Sequence, residues 1–169
     1  KPIKYFIIGQ RLDTLILDTA SDNIGQDRVQ TLYERNAPTL LEAYEVTINA
    51  VQKAQPQAKV IIMGQVPKLK EEPAHCDQRK NTPINHLFDL EYACDPYGID
   101  TRMNPEVIIP FNNELESLAS RYDHVEFFDP HEIFEIGKED EWGKYYRDDD
   151  HINPDGSNYV ETFFDFDKK

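Results

Sequence analysis

Ala58-Lys59-Val60-Ile61-Ile62-Met63-Gly64-Gln65-Val66-Pro67 is the clearest strand in the chain. Its apolar, branched run is bounded by a polar entry and a proline exit, which fits a strand buried in a parallel sheet. Gly64 lets the backbone pass close to a neighbour, and Pro67 ends the ladder by removing a donor. Upstream, Leu41, Tyr44, Ile48 and Val51 recur at three- and four-residue steps, with Pro38 in the first turn and Pro56 past the end. That spacing predicts a helix crossing over into the strand. Downstream, Asn104-Pro105 opens a second helix with Ile108, Phe111, Leu115 and Leu118 on its buried face, and His124 to Pro130 reads as another strand. Near the start, Lys4-Tyr5-Phe6-Ile7-Ile8 reads as the end of an amphipathic helix, and Asp13-Thr14-Leu15-Ile16-Leu17-Asp18-Thr19 as a short buried strand. Strands alternating with helices imply an α/β fold with a parallel sheet and right-handed crossovers.

With 169 residues the chain is long enough for one domain with a real core and too short for two. Its 32 acidic residues against 18 basic ones give a formal charge of −14, which repels phosphodiester backbones and argues against nucleic acid as a partner. Neutral sugars or esters are compatible with such a surface. No apolar run reaches the length that spans a bilayer and no signal-peptide pattern opens the chain, so a signal or membrane portion is expected upstream of Lys1 if there is one. Lys68 to Asn104 is the least regular region, with Pro73, Pro83, Pro96 and Gly98. Cys76 and Cys94 lie in it, a poor place for two free thiols and a good place for a staple. A disulfide there would close about 19 residues and contribute on the order of 3 kcal/mol; two unrelated thiols are the alternative. His75 and His86 share the loop but lack the further ligands that a zinc site needs.

The chemistry is concentrated near the C-terminus, in Tyr145-Tyr146-Arg147-Asp148-Asp149-Asp150-His151-Ile152-Asn153-Pro154-Asp155-Gly156-Ser157. Three carboxylates ahead of a histidine put a base beside possible orienting groups, since a carboxylate on one ring nitrogen raises the basicity of the other. Asn153-Pro154 reads as a helix start, an Asn cap followed by a proline in the first turn. A solvated acidic turn that merely caps a helix is the bland alternative. A hard-cation site is a second, although the alternating ligands and glycine of a calcium loop are missing.

This segment resembles the last sequence block of the SGNH (GDSL-like) hydrolases, Asp-x-x-His, here Asp148 to His151. With Tyr-Arg before it and Asn-Pro-x-Gly after it, it looks most like the SGNH domain fused behind family-three membrane acyltransferases that O-acetylate bacterial surface polysaccharides. Gly64-Gln65-Val66-Pro67 and Phe128-Asp129-Pro130 resemble strand endings of the same family. The resemblance implies a three-layer α/β/α fold of flavodoxin-like type, His151 as general base, Asp148 as its orienting carboxylate and no cofactor or metal. It also favours pairing of Cys76 with Cys94. Asp149 and Asp150 remain alternatives to Asp148, because sequence does not say which carboxylate points inward. Asp129 reads as a turn-forming acid and His131 as a helix-entry residue. Glu132 to Lys144 is acidic with one tryptophan, Trp142, read as a rim or packing residue, and a final helix from Asn158 to roughly Phe166 is expected to bury Val160, Phe163 and Phe164.

SGNH enzymes place a Gly-x-Asn-Asp block, whose Asn donates to the oxyanion, near the position of Thr19-Ala20-Ser21-Asp22-Asn23. Here the block is degenerate: Ser21 and Asn23 are oxyanion or substrate candidates, with a polar strand cap as the blander reading. A serine nucleophile in a Gly-Asp-Ser block is not found. The chain has four serines, Ser21, Ser117, Ser120 and Ser157, and none follows Gly-Asp. The expectation is therefore a single SGNH-type domain over residues 1–169, about the C-terminal two thirds of the whole, with the nucleophile and the first strand or strands upstream of Lys1. Such a piece should expose apolar sheet surface.

Together these readings imply a serine esterase or O-acyltransferase domain outside the cytoplasm, periplasmic or at the cell surface. It would act on acyl esters of a carbohydrate and be tethered through a membrane acyltransferase domain. A non-catalytic carbohydrate-binding domain on a decayed scaffold is the alternative, and a cation-binding module using Asp148 to Asp150 a third.

Overall fold

The computed structural model describes residues 3–9, 26–70, 99–101, 103–148 and 151–163. The chain groups into two compact units, Lys1–Gln65 with Arg102–Pro130, and Val66–Thr101 with His131–Lys169.

Among its described residues the first unit has a three-stranded sheet with helices packed on it. Strands β1 (Tyr5–Ile8), β2 (Lys59–Met63) and β3 (Val125–Phe128) lie in the order β1-β2-β3 and all pair parallel. Ile7 stands opposite Ile61 and Ile62 opposite Phe127. Helix α1 (Gln26–Ala54) crosses from β1 to β2, and α2 (Ile109–Ala119), entered through a π-helical turn at Asn104–Ile108, crosses from β2 to β3. Helical crossovers are what parallel neighbours require. Val60 and Ile62 of β2 are fully buried, together with Ile48 of α1 and Phe111 and Leu115 of α2. These residues form one apolar cluster.

Two expectations are corrected here. Lys4 to Ile8 is not the end of a helix: Tyr5 to Ile8 form β1. The run is too short for periodicity to separate the two, and its aromatic and β-branched residues suit a pleated surface beside β2. The first helix does not begin at Pro38 but at Gln26, with Pro38 in its interior. A proline there removes a hydrogen bond and crowds the preceding turn. Burial of Val29, Leu32, Tyr33 and Ala37 before it, and of Tyr44, Ile48 and Val51 after it, holds both halves on the sheet. The expected strand at Asp13 to Thr19 lies outside the described residues.

At the end of β2, Gly64 has no room for a side chain, because a Cβ would stand 2.9 Å from the Phe127 ring and 3.0 Å from Asn112. Asn112 is buried and grips the next peptide at both ends: its Oδ1 accepts from Gln65 N–H at 2.8 Å and its Nδ2 donates to Gln65 C=O at 3.0 Å. A buried amide satisfied on both sides fixes the strand exit.

In the second unit, Leu69 and Ile99 form an antiparallel bridge and Asp100 N–H donates to Lys68 C=O at 3.0 Å, joining the two ends of the long loop. Its interior, with Cys76, Cys94, His75 and His86, lies outside the described residues. The acidic segment from Glu132 to Lys144, with Trp142 expected at the rim or in packing, contains a short helix α3 (Glu139–Trp142) and contributes to an aromatic cluster. Phe134 is fully buried at its centre, with Trp142, Tyr146 and Tyr159 packed around it. Trp142 is therefore a core residue, 3% exposed, with its indole N–H bonded to Glu135 C=O at 2.9 Å. The last helix, α4 (Pro154–Glu161), starts at the cap and ends earlier than expected. Val160 is buried as expected, but Phe163 falls beyond the helix and is 47% exposed; Phe164 lies outside the described residues.

Candidate active site

Tyr146 and Ile152 form an isolated antiparallel bridge that closes the loop between them. Arg147 N–H donates to His151 C=O at 2.8 Å, and Asn153 N–H to Tyr145 C=O at 2.7 Å. Alternation across such a bridge sends Tyr146 to one side and its neighbours Arg147 and His151 to the other. Burial agrees: Tyr146 is buried, with its hydroxyl donating to Pro67 C=O at 2.6 Å, while Arg147 is exposed and His151 partly so. The tyrosine anchors the loop, so the histidine is presented outward from a fixed base.

The far side of the loop is tied to α4. Asn153 caps the helix, its Oδ1 accepting from Gly156 N–H at 2.8 Å while its Nδ2 donates to Lys144 C=O at 2.8 Å. One side chain thus satisfies a free helical N–H and crosses back to the 3-10 turn Gly143–Tyr145 before the loop. Gly156 is required by close approach, since a Cβ would stand 2.6 Å from Tyr145 C=O. Tyr145 stacks on Tyr159 of α4 at 4.6 Å between ring centres, which adds a third tie.

Within this frame, Asp148 and His151 are brought together. Asp148 Oδ1 lies 2.9 Å from His151 Nδ1 and also accepts from His151 backbone N–H at 2.7 Å. A carboxylate only accepts, so Nδ1 carries the proton in the neutral ring. The second oxygen, Oδ2, accepts from Arg147 Nε at 3.2 Å and Nη2 at 3.1 Å. Both carboxylate oxygens are therefore engaged, which fixes the plane of the carboxylate and with it the ring. Arg147 is a neighbour of the pair to which sequence reasoning gave no role; its signal was its place immediately before the acidic run. Asp149 and Asp150, the alternatives for the orienting carboxylate, lie outside the described residues.

The remaining candidates divide similarly. Ser21 and Asn23 lie outside the described residues. The three described serines all donate to backbone carbonyls of their own helices: Ser117 to Asn113, Ser120 to Ser117 and Ser157 to Asn153. Hydroxyls engaged in this way serve helix ends and turns. His131 enters a 3-10 turn at Pro130–Glu132. Among the described residues no group of three or more histidine, cysteine or acidic side chains is gathered for a metal, and no helix is long and apolar enough to cross a membrane.

Comparison with solved structures finds a protein provisionally described as a platelet activating factor from Streptococcus pneumonia, at 13% identity and a TM-score of 0.52. The alignment covers 96% of this chain and 84% of that one. At that identity the likeness concerns the fold alone. No curated protein matches the chain. The sequence matches the family described as SGNH domain (fused to AT3 domains) over residues 1–166, which accounts for the parallel α/β sheet and for a hydrolase or acyltransferase type of domain. The chain belongs to the SGNH domains of the kind fused to AT3 acyltransferase domains.

Proposed function

We propose that this domain is a serine esterase or O-acyltransferase acting on acyl esters, acetyl above all, of a cell-surface carbohydrate. The observation that carries the reading is the doubly bonded Asp148 beside His151 on a loop clamped at both ends. A base held in one tautomer by a carboxylate on its Nδ1 is what proton abstraction from a hydroxyl by the other ring nitrogen requires.

In this mechanism a serine hydroxyl gives its proton to His151 Nε2 as its Oγ bonds to the acyl carbonyl carbon. Collapse of the tetrahedral adduct breaks the ester C–O bond, and the departing alkoxide takes the proton back from the imidazolium. The acyl-enzyme is then resolved by water or by a sugar hydroxyl, again with His151 removing the proton. Asp148 holds the imidazolium in place throughout. The three described serines donate to helix carbonyls, which favours a nucleophile supplied from upstream of Lys1, where the family's Gly-Asp-Ser block would stand. Ser21 and Asn23 are the candidate oxyanion donors. Fusion to a membrane acyltransferase supports an extracytoplasmic, tethered setting.

The test is ester hydrolysis and acetyl transfer by a chain extended upstream, with and without His151→Ala. Loss of both activities in the variant supports the reading, and unchanged hydrolysis removes His151 from the chemistry. The serine commitments favour one other reading, a non-catalytic carbohydrate-binding domain, for which the extended chain would bind glycans and hydrolyse nothing.

A further inference from the structure

The run Asp148-Asp149-Asp150 offers three consecutive carboxylates to one histidine, and the geometry uses the first, with Asp148 Oδ1 at 2.9 Å from His151 Nδ1. Which carboxylate meets the ring depends on the register of the loop. Among the described residues the loop is paired through one isolated bridge, Tyr146 opposite Ile152, flanked by the bonds Arg147 N–H to His151 C=O and Asn153 N–H to Tyr145 C=O. A pairing this short specifies its register weakly, and a slip of one residue sends every side chain to the opposite face. In a slipped loop Arg147 would take the inward place of Tyr146, and burying a guanidinium is costly. Tyr146 is thus the side chain that tells the two faces apart. It is buried, with its ring centre 5.8 Å from that of Phe134 and 5.3 Å from that of Trp142, and its hydroxyl donates to Pro67 C=O at 2.6 Å. The rings would accept any aromatic side chain, whereas the hydroxyl bond has one partner and one length.

We infer that the Tyr146 hydroxyl is a positioning group for the base: its bond to Pro67 holds the loop in the register in which Asp148 orients His151. Its consequence for catalysis rests on the proposed function; the register itself is a property of the loop. The ties made by Asn153, Gly156 and Tyr159 run to Lys144 and Tyr145, a few positions away, so they move with the loop. The bond of Tyr146 reaches 79 positions back along the chain. Pro67 is a fixed point, because the residues after it are paired in turn: Lys68 C=O accepts from Asp100 N–H, and Leu69 bridges Ile99. One hydroxyl therefore sets how far Tyr146 enters the interior and, through the two backbone bonds beside it, where His151 stands.

Nitrogen-15 NMR of the His151 imidazole in the 169-residue chain tests this, since the ring nitrogen shifts report the ratio of the two neutral tautomers. Tyr146→Phe keeps the ring and removes the hydroxyl. The expected result is a fall of about tenfold in the ratio of the Nδ1-protonated to the Nε2-protonated form, the size of change that loss of one hydrogen bond brings. Asp148→Asn should reverse the preference, and adding Tyr146→Phe to it should change nothing further, because residues that act through one contact are not additive. Ile62→Val, a core truncation in the first unit, serves as the control for lowered stability and should leave the ratio as in the wild type. A Tyr146→Phe ratio equal to that of the wild type would overturn the inference, as would an equal fall in Ile62→Val or a further change in the double variant. Labelling of the upstream-extended chain by a fluorophosphonate serine-hydrolase probe separates this inference from the catalytic reading. A shifted ratio without labelling of the extended wild type leaves the positioning role standing and removes the serine enzyme. Labelling at equal rates in the wild type and Tyr146→Phe, with the ratio unchanged, does the reverse.

Discussion

Asp148 Oδ1 accepts from both the ring and the backbone of His151, at 2.9 Å and 2.7 Å, so one oxygen sets the position of the residue and the orientation of its imidazole together. Asp148→Asn keeps an oxygen for the backbone contact but can turn an amide N–H towards the ring, favouring the other tautomer. In the extended, active chain kcat should fall by about 10³–10⁴-fold with KM little changed, as for the orienting Asp of other triads. Steady-state kinetics at saturating ester would check this.

Arg147 contacts the other oxygen of Asp148 from a largely exposed position, where ion pairs contribute only about 0–1 kcal/mol. Arg147→Ala should therefore leave Tm almost unchanged and reduce kcat by less than about tenfold, in keeping with that range. High salt should weaken the wild type in the same direction. A loss as large as that of Asp148→Asn would assign Arg147 a direct role at the substrate.

Gly156→Ala would place a methyl group against Tyr145 C=O, a backbone atom held by Asn153. The expected loss is about 1–3 kcal/mol of stability, the usual range for overpacking. Asn153→Ala should cost about 1 kcal/mol as a lost cap. Thermal unfolding measures both, and the extended chain should lose activity in parallel as the loop loosens.

Tyr44 is buried in the first unit, and burial pushes its phenol from the ordinary value near 10 up to about 12. The unfolded chain then releases this proton first as pH rises, so the folded state holds more protons between those values and stability falls with pH there. The loss is about 2–3 kcal/mol from pH 10 to 12, with none from this group below pH 9. Tyr44→Phe should flatten that alkaline limb in denaturant melts. It should also be neutral or stabilising at pH 7, because the hydroxyl is buried with no hydrogen-bond partner.

The parallel α/β fold was legible because β2 and the buried faces of α1 and α2 follow simple apolar patterns. Val60, Ile62, Ile48, Phe111 and Leu115 were all readable as core. β1 was misread because four apolar residues satisfy helix and strand equally, and only their pairing with β2 decides. The early start of α1 was hidden by Pro38, a residue that normally marks a boundary and here is overridden by packing on both sides. Around the candidate site, Asn153 was recognisable as a cap, whereas the anchoring of Tyr146 on Pro67, 79 positions away, is a tertiary contact that no local pattern encodes. Phe134 escaped notice for the same reason: one phenylalanine in an acidic stretch gives no period.

The most direct test is mass spectrometry after exposure to a fluorophosphonate serine-hydrolase probe, with the 169-residue chain and the upstream-extended chain side by side. Labelling of the extended chain alone, at a serine preceding Lys1 and abolished by His151→Ala, is the result expected of a triad completed from upstream. Absence of labelling in both chains, or labelling that survives His151→Ala, would contradict a serine enzyme that uses Asp148 and His151.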